Sequence, residues 1–130
     1  MSAEHTFPDP DIQVEVVTAY LAAQSSPARE HYVFSYTITV SHRGGSNCQL
    51  LRRYWRIVDG MGDVEEVRGD GVVGQQPRLQ SGQAFTYTSG AILKTPVGSM
   101  QGAYTFIDAA GREFEVPIAA FTLSVPHQVH

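Results

Sequence analysis

Residues 32–41 constrain the fold more than any other stretch, because their hydropathy repeats every second residue. Tyr32, Phe34, Tyr36, Ile38 and Val40 fall on one side; Val33, Ser35, Thr37, Thr39 and Ser41 fall on the other. A period of two is the period of a strand, and a one-sided apolar face needs a second layer to cover it. Similar segments follow, each rich in aromatic and β-branched residues and bounded by glycine or proline. Strands are expected at 12–23, at 48–59 with Leu51, Trp55 and Ile57 on one face, and at 64–68. Further strands are expected at 84–89, 100–108 and 113–121. Asp108-Ala109-Ala110-Gly111 reads as a tight hairpin, and Pro117 assigns the last strand to an edge or a bulge. The segment 90–98, which carries Gly90, Pro96 and Gly98, reads as a long loop. Six or seven short strands without a helical pattern predict an antiparallel β-sandwich, with a small barrel as the alternative.

The chain has 130 residues, enough for one domain that buries about two-thirds of its unfolded surface. Its core is expected at 12–126, with flexible termini outside it. The net charge is −4 and Lys94 is the sole lysine, which argues against nucleic acid and anionic membranes as partners. Cys48 is the one cysteine, so no internal disulfide is possible. The first residues have neither a basic start nor an apolar run, and no stretch approaches the roughly 20 apolar residues of a membrane helix. A cytoplasmic protein is the expectation.

Gly69, Gly71 and Gly74 spell Gly-x-Gly-x-x-Gly within Arg68-Gly69-Asp70-Gly71-Val72-Val73-Gly74-Gln75-Gln76-Pro77. In nucleotide-binding folds that spacing brings a helix N-terminus to a pyrophosphate. Here Pro77 follows, helical periodicity is lacking, and no Asp or Glu occurs between Asp70 and Asp108 to bind a ribose. The structural reading is a tight connection crossing between sheets, with glycines for positive φ or close packing. The functional reading is a nest of amides for an anion, with Arg52, Arg53 or Arg68 as counter-charge.

Arg43, Arg52, Arg53 and Arg56 make 42–58 positive, with Arg52, Tyr54 and Arg56 on one face and Arg53 beside Trp55. Cross-strand pairing with Asp59, Asp63, Glu65 and Glu66 is the expected use of those charges. A buried Arg53 would need a carboxylate or carbonyl partner. His5, His31, His42, His127 and His130 are scattered, so no metal site is expected. Cys48 reads as a small buried residue rather than the nucleophile of a pair with His42. No cofactor and no catalytic residue are assigned.

Three segments resemble the ApaG family: the glycine stretch itself, Phe85-Thr86-Tyr87-Thr88-Ser89-Gly90, and the run from Thr95-Pro96-Val97-Gly98 through Met100-Gln101-Gly102-Ala103-Tyr104. The stretch around Trp55 and Phe114-Glu115-Val116-Pro117-Ile118 agree, and the resemblance covers about 12–126. It implies an immunoglobulin-like sandwich of the fibronectin type III kind, with about seven strands. It implies a bacterial protein often encoded beside a diadenosine tetraphosphate hydrolase and associated with cobalt tolerance and magnesium transport. Related eukaryotic domains look like protein-interaction modules, and the family's suggested pyrophosphate motif maps onto Gly69, Gly71 and Gly74.

Three functional expectations follow. The first is a non-enzymatic module for a protein partner, using the glycine turn, exposed strand edges, or Ile92, Leu93 and Val97 as an exposed docking patch. The second is a sensor of nucleoside polyphosphates or pyrophosphate at Gly69–Gly74, which requires an arginine to reach the turn. The third, hydrolysis of such a nucleotide, requires Asp63, Glu65, Glu66 and Asp70 to converge. An edge strand could also pair with its copy to give a homodimer.

Overall fold

The computed structural model describes residues 9–126. The chain order is β1 (Asp11–Tyr20), β2 (Tyr32–Gly44), β3 (Cys48–Asp59), β4 (Val64–Asp70), β5 (Arg78–Leu79), β6 (Ala84–Leu93), β7 (Val97–Asp108) and β8 (Glu113–Ser124). One sheet has the order β1-β2-β6, and the other has β4-β3-β7-β8 with β5 added beside β3. Every pairing is antiparallel. The architecture is therefore the expected two-sheet β-sandwich, its eight strands being seven long ones and β5, a two-residue addition.

The alternation in β2 works as its sequence predicts. Phe34, Tyr36, Ile38 and Val40 are buried in the core, opposite Trp55, Met100, Tyr104, Phe106, Ile118 and Leu123 from the second sheet. On the outer face of β2, Thr37 and Thr39 pair through their hydroxyls with Thr88 and Thr86 of β6. The tyrosines use their polar ends as well: the buried hydroxyls of Tyr87 and Tyr104 bond to each other, joining β6 of one sheet to β7 of the other. Burial without that bond would leave two hydroxyls unsatisfied.

Three local expectations about the strands are corrected. The strand expected at 12–23 ends at Tyr20, and two single-turn 3-10 helices, Ala22–Gln24 and Pro27–Arg29, lead into β2. β3 does not keep Leu51 on the Trp55 face: its pairing with β7 shifts register between Leu50 and Arg52, so Leu50 is buried instead. One extra residue reverses the alternation, and Leu51 is that residue. The loop expected at 90–98 is only Lys94-Thr95-Pro96, because β6 runs on to Leu93 and β7 begins at Val97. β2 is 13 residues long and offers β6 a continuous partner, with Gly90 and Leu93 opposite Ser35 and Tyr32.

The connection containing the glycine motif also stays within one sheet. β4 and β5 both pair with the same side of β3, β4 along Arg52–Val58 and β5 at Cys48 and Gln49. The motif is the interruption between them. Pro117 lies on β8, an edge strand whose pairing with β7 shifts between Met100 and Gly102. Gly111 closes the β7–β8 hairpin at φ 84°.

Candidate functional site

The three glycines do different work. Gly69 is the penultimate residue of β4 and lies opposite Arg53. Gly71 and Gly74 take left-handed angles, φ 64° and 78°, as does Val73 at 42°. The turn they make closes on itself through Val72 N–H to the Gln75 carbonyl at 2.8 Å and Gln75 N–H to the Val72 carbonyl at 2.9 Å. Gly71 N–H donates to the Leu51 carbonyl at 2.7 Å, and the Gln76 side-chain amide donates to the same oxygen at 3.0 Å. Val72 is fully buried and pins the turn to the core. So the turn satisfies the bulge in β3, and three of its amides point at acceptors within the protein.

Arg53 does reach this turn. Its Nη1 donates to the carbonyls of Asp70 at 2.9 Å and Gly71 at 3.0 Å. This is the carbonyl partner a semi-buried arginine requires, and it directs the guanidinium at oxygens rather than at a free anion position. Arg52 instead pairs with Glu113 of β8 at 2.5 Å. Arg68 lies over the Tyr54 ring, 4.7 Å from its centroid, and 3.9 Å from Glu66. The Tyr54 hydroxyl donates to Glu66, which holds that phenol above its ordinary pKa. Among the described residues the expected pairing with Asp59, Asp63, Glu65 and Glu66 does not form: Arg43 bonds Gln13, Arg52 bonds Glu113 and Arg53 bonds two carbonyls, while Glu66 is taken by Tyr54 and Arg68. Asp59 serves its own turn, accepting from Met61 N–H at 2.8 Å and Asp63 N–H at 3.0 Å.

The remaining chemistry-bearing groups do not converge. His42 is buried; Gly44 N–H donates to its Nδ1 at 3.2 Å, leaving Nε2 to donate to the Ser46 carbonyl at 2.7 Å. Cys48 is buried apart from this pair of bonds, and burial, with the Asp108 charge second, pushes its thiol up to about 11. His5, His127 and His130 lie outside the described residues. Among the described residues no group of three or more His, Cys, Asp or Glu is placed to hold a metal ion. Asp63 and Glu65 line one depression, whereas Glu66 bonds Tyr54 at a second concavity that Asp70 also lines, so the four acids that hydrolysis would require do not converge.

The apolar set divides. Leu93 is buried, so the patch expected from Ile92, Leu93 and Val97 loses its middle member: Leu93 is on the inward face of β6. Ile92 remains 59% exposed and Val97 48% exposed. Ile92 lies at a feature that single-residue reading missed. β1 packs against β8 along one side of the sandwich, whereas β4 and β6 flank an open side. Between them runs a cleft of about 380 Å³ lined by Trp55, Ile57, Val67, Ala91, Met100 and Glu65. It continues into a depression of about 230 Å³ where Ile92 and Val64 meet Asp59, Asp63 and Lys94. A larger, shallow concavity of about 900 Å³ lies on the outer face of the second sheet, between Tyr54 and Ala119. No helix among the described residues is long and apolar enough to cross a membrane.

The fold and the glycine turn can be set beside known proteins. The family model for the ApaG domain matches residues 22–108. A protein named ApaG from Acidithiobacillus ferrooxidans is 50% identical over 123 residues, covering 95% of this chain and 97% of the relative. Another ApaG, from Chromohalobacter salexigens, is 55% identical over 120 residues, covering 92% and 94%. A crystal structure of a Bordetella pertussis protein described as ApaA is 46% identical, with a TM-score of 0.89 over 92% of this chain and 97% of that one. With half of its residues shared across nearly its whole length, and the same sandwich in a solved relative, this chain belongs to the ApaG family.

Proposed function

We propose that this protein is a non-enzymatic binding module that recognises a protein partner through the open side of its sandwich. The observation that carries this reading is the cleft between β4 and β6, with half-buried Ile57 and Val67 in its lining and exposed Ile92 and Val64 where it opens. Apolar surface continuous with a concave, rigidly walled groove is what a protein anchor fills. The walls come from two sheets that share one core, so the groove exists before any partner arrives.

Binding of a nucleoside polyphosphate or pyrophosphate at Gly69–Gly74 draws weaker support. Gly71, Val72 and Gln75 direct their amides to Leu51, Gln75 and Val72, and Arg53 directs its guanidinium to carbonyls of the turn. An anion there would have to displace those bonds.

The test places a photo-crosslinking residue at Ile92 and, as control, at Val17, an exposed apolar residue of β1. The expected result is an adduct in native lysate from position 92 alone, lost when excess unmodified protein competes and reconstituted with the purified partner. No competed adduct from 92 overturns the reading. A parallel amide titration with ATP or pyrophosphate and Mg²⁺ should leave Gly69–Gly74 unshifted; saturable shifts there would favour the polyphosphate reading.

A further inference from the structure

Resting on that reading, we propose that the occupant of the open side is an extended segment of the partner, that it adds to β6 as a fourth strand of the three-stranded sheet, and that it carries apolar and basic side chains. Exposed sheet edges are normally blunted by charge, proline, irregularity or cover. β1 carries Asp11 and Glu15, has a register shift between Asp11 and Ile12, and packs against β8. β4 carries Glu65, Glu66, Arg68 and Asp70. β8 carries Glu113, Glu115 and Pro117, with irregular pairing to β7. β6 has none of these. Its ten residues hold no charge and no proline, and their register with β2 is unbroken.

The phase of the ladder shows which groups such a strand would meet. Val33 of β2 accepts from Leu21 on the β1 side, and His42 N–H donates to Gln83 on the β6 side. Antiparallel alternation then turns the N–H and C=O of Phe85, Tyr87, Ser89 and Ala91 toward β2. Those of Thr86, Thr88, Gly90 and Ile92 face the free edge. Gly90 stands in the middle of this stretch without an internal reason to be glycine. Its φ is not left-handed, and a Cβ there would meet only the Phe34 carbonyl oxygen, at an ordinary 3.5 Å. Glycine inside a strand weakens it and often marks the close approach of another backbone.

Charge selects the occupant. Glu65 lines the cleft beside β6, and Asp59 and Asp63 stand at its Ile92 end against Lys94 alone. The remaining cation in the lining, Arg53, is held by the carbonyls of Asp70 and Gly71. A strand laid on β6 would place alternate side chains over the cleft, where an apolar residue meets Ile57 and Val67 and a Lys or Arg meets Glu65. A second copy of β6 brings no basic residue of its own to these carboxylates, so a heterologous segment fits better.

The experiment pans a displayed library of random linear peptides of about ten residues against the intact protein. Selected peptides should alternate apolar residues with Lys or Arg. Synthetic versions N-methylated at one alternate set of amides should lose about tenfold or more in affinity, while methylation of the other set changes little. Glu65→Lys should weaken the basic peptides about tenfold. Gly90→Pro should abolish binding with amide spectral dispersion retained, since the proton removed faces away from β2. Equal tolerance of both methylation sets, or selection of acidic peptides, overturns the proposal. So does enrichment of no peptide; if crosslinking from position 92 persists in that case, the partner docks as a folded surface and the binding reading survives alone. Sedimentation of a wild-type dimer that Gly90→Pro converts to monomer would also overturn it, in favour of a second copy at this edge.

Discussion

Gly69 lies beneath the guanidinium of Arg53: a Cβ placed on it would come within 2.7 Å of Nη2 and 2.8 Å of Cζ. The two residues oppose each other across β3 and β4, and the same guanidinium binds the carbonyls of Asp70 and Gly71. The first glycine of the motif therefore makes room for an arginine that pins the end of β4, and no ligand is needed to explain it. Gly69→Ala should cost about 1–3 kcal/mol in urea unfolding, because the displaced guanidinium loses both acceptors. Arg53→Ala should cost a similar amount, and the double variant scarcely more than either single one. Strict additivity would mean that the contact carries no energy.

Gly71 and Gly74 share left-handed backbone angles but differ in the space around them. A Cβ on Gly71 would strike the Gln75 carbonyl, whereas one on Gly74 meets nothing within 4 Å. Gly71→Ala should therefore combine conformational strain with a backbone clash, for a loss of about 2–4 kcal/mol. Gly74→Ala should lose only the strain, about 1–2 kcal/mol. Between them, Val73 holds φ 42° and is 53% exposed, an unfavourable angle for a β-branched residue that gains little burial. Val73→Asn should raise stability by about 1 kcal/mol. Equal losses at the two glycines, measured by thermal or urea unfolding, would contradict this account.

The parts of this fold legible in sequence are those where one face of a strand meets the core without interruption. β2 is such a strand, and Phe34, Tyr36, Ile38 and Val40 are buried as their alternation requires. β3 was legible in extent but not in facing, because the extra residue at Leu51 is a tertiary event. Its carbonyl is taken by Gly71 and Gln76, some 20 residues along the chain. Gly90 looked like a loop residue because its local chemistry says so; the pairing of β6 with a long β2 overrides it. The glycine motif advertised unusual backbone geometry and has it, but its helix-borne meaning does not transfer to a turn between two edge strands. The open cleft depends on which edges the topology leaves bare, and no local pattern encodes that. The one signal in the chain was the absence of charge and proline from Ala84 to Leu93.

Alkaline pH should expose the cost of the buried thiol and phenols. Cys48 is raised from 9.0 to about 11 by burial, reinforced by Asp108, and Tyr87 from 10.0 to about 12, again chiefly by burial. Tyr104, bonded to Tyr87, is raised as well, and for the same leading reason. In each case the folded state holds its proton after the unfolded chain has released it. Unfolded molecules then bind fewer protons, so stability falls as pH rises. The contribution of Cys48 is fully present below 9.0 and is lost as pH climbs through about 11; that of Tyr87 is lost between 10.0 and about 12. Urea midpoints measured across this range should decline, and Cys48→Ala should flatten the first part of the decline while leaving the second. In the native protein near neutral pH, a thiol reagent should label Cys48 no faster than the chain unfolds. Immediate labelling, or an unchanged profile for Cys48→Ala, would place the thiol in solvent and contradict its position beside Leu79 and Asp108 at the start of β3.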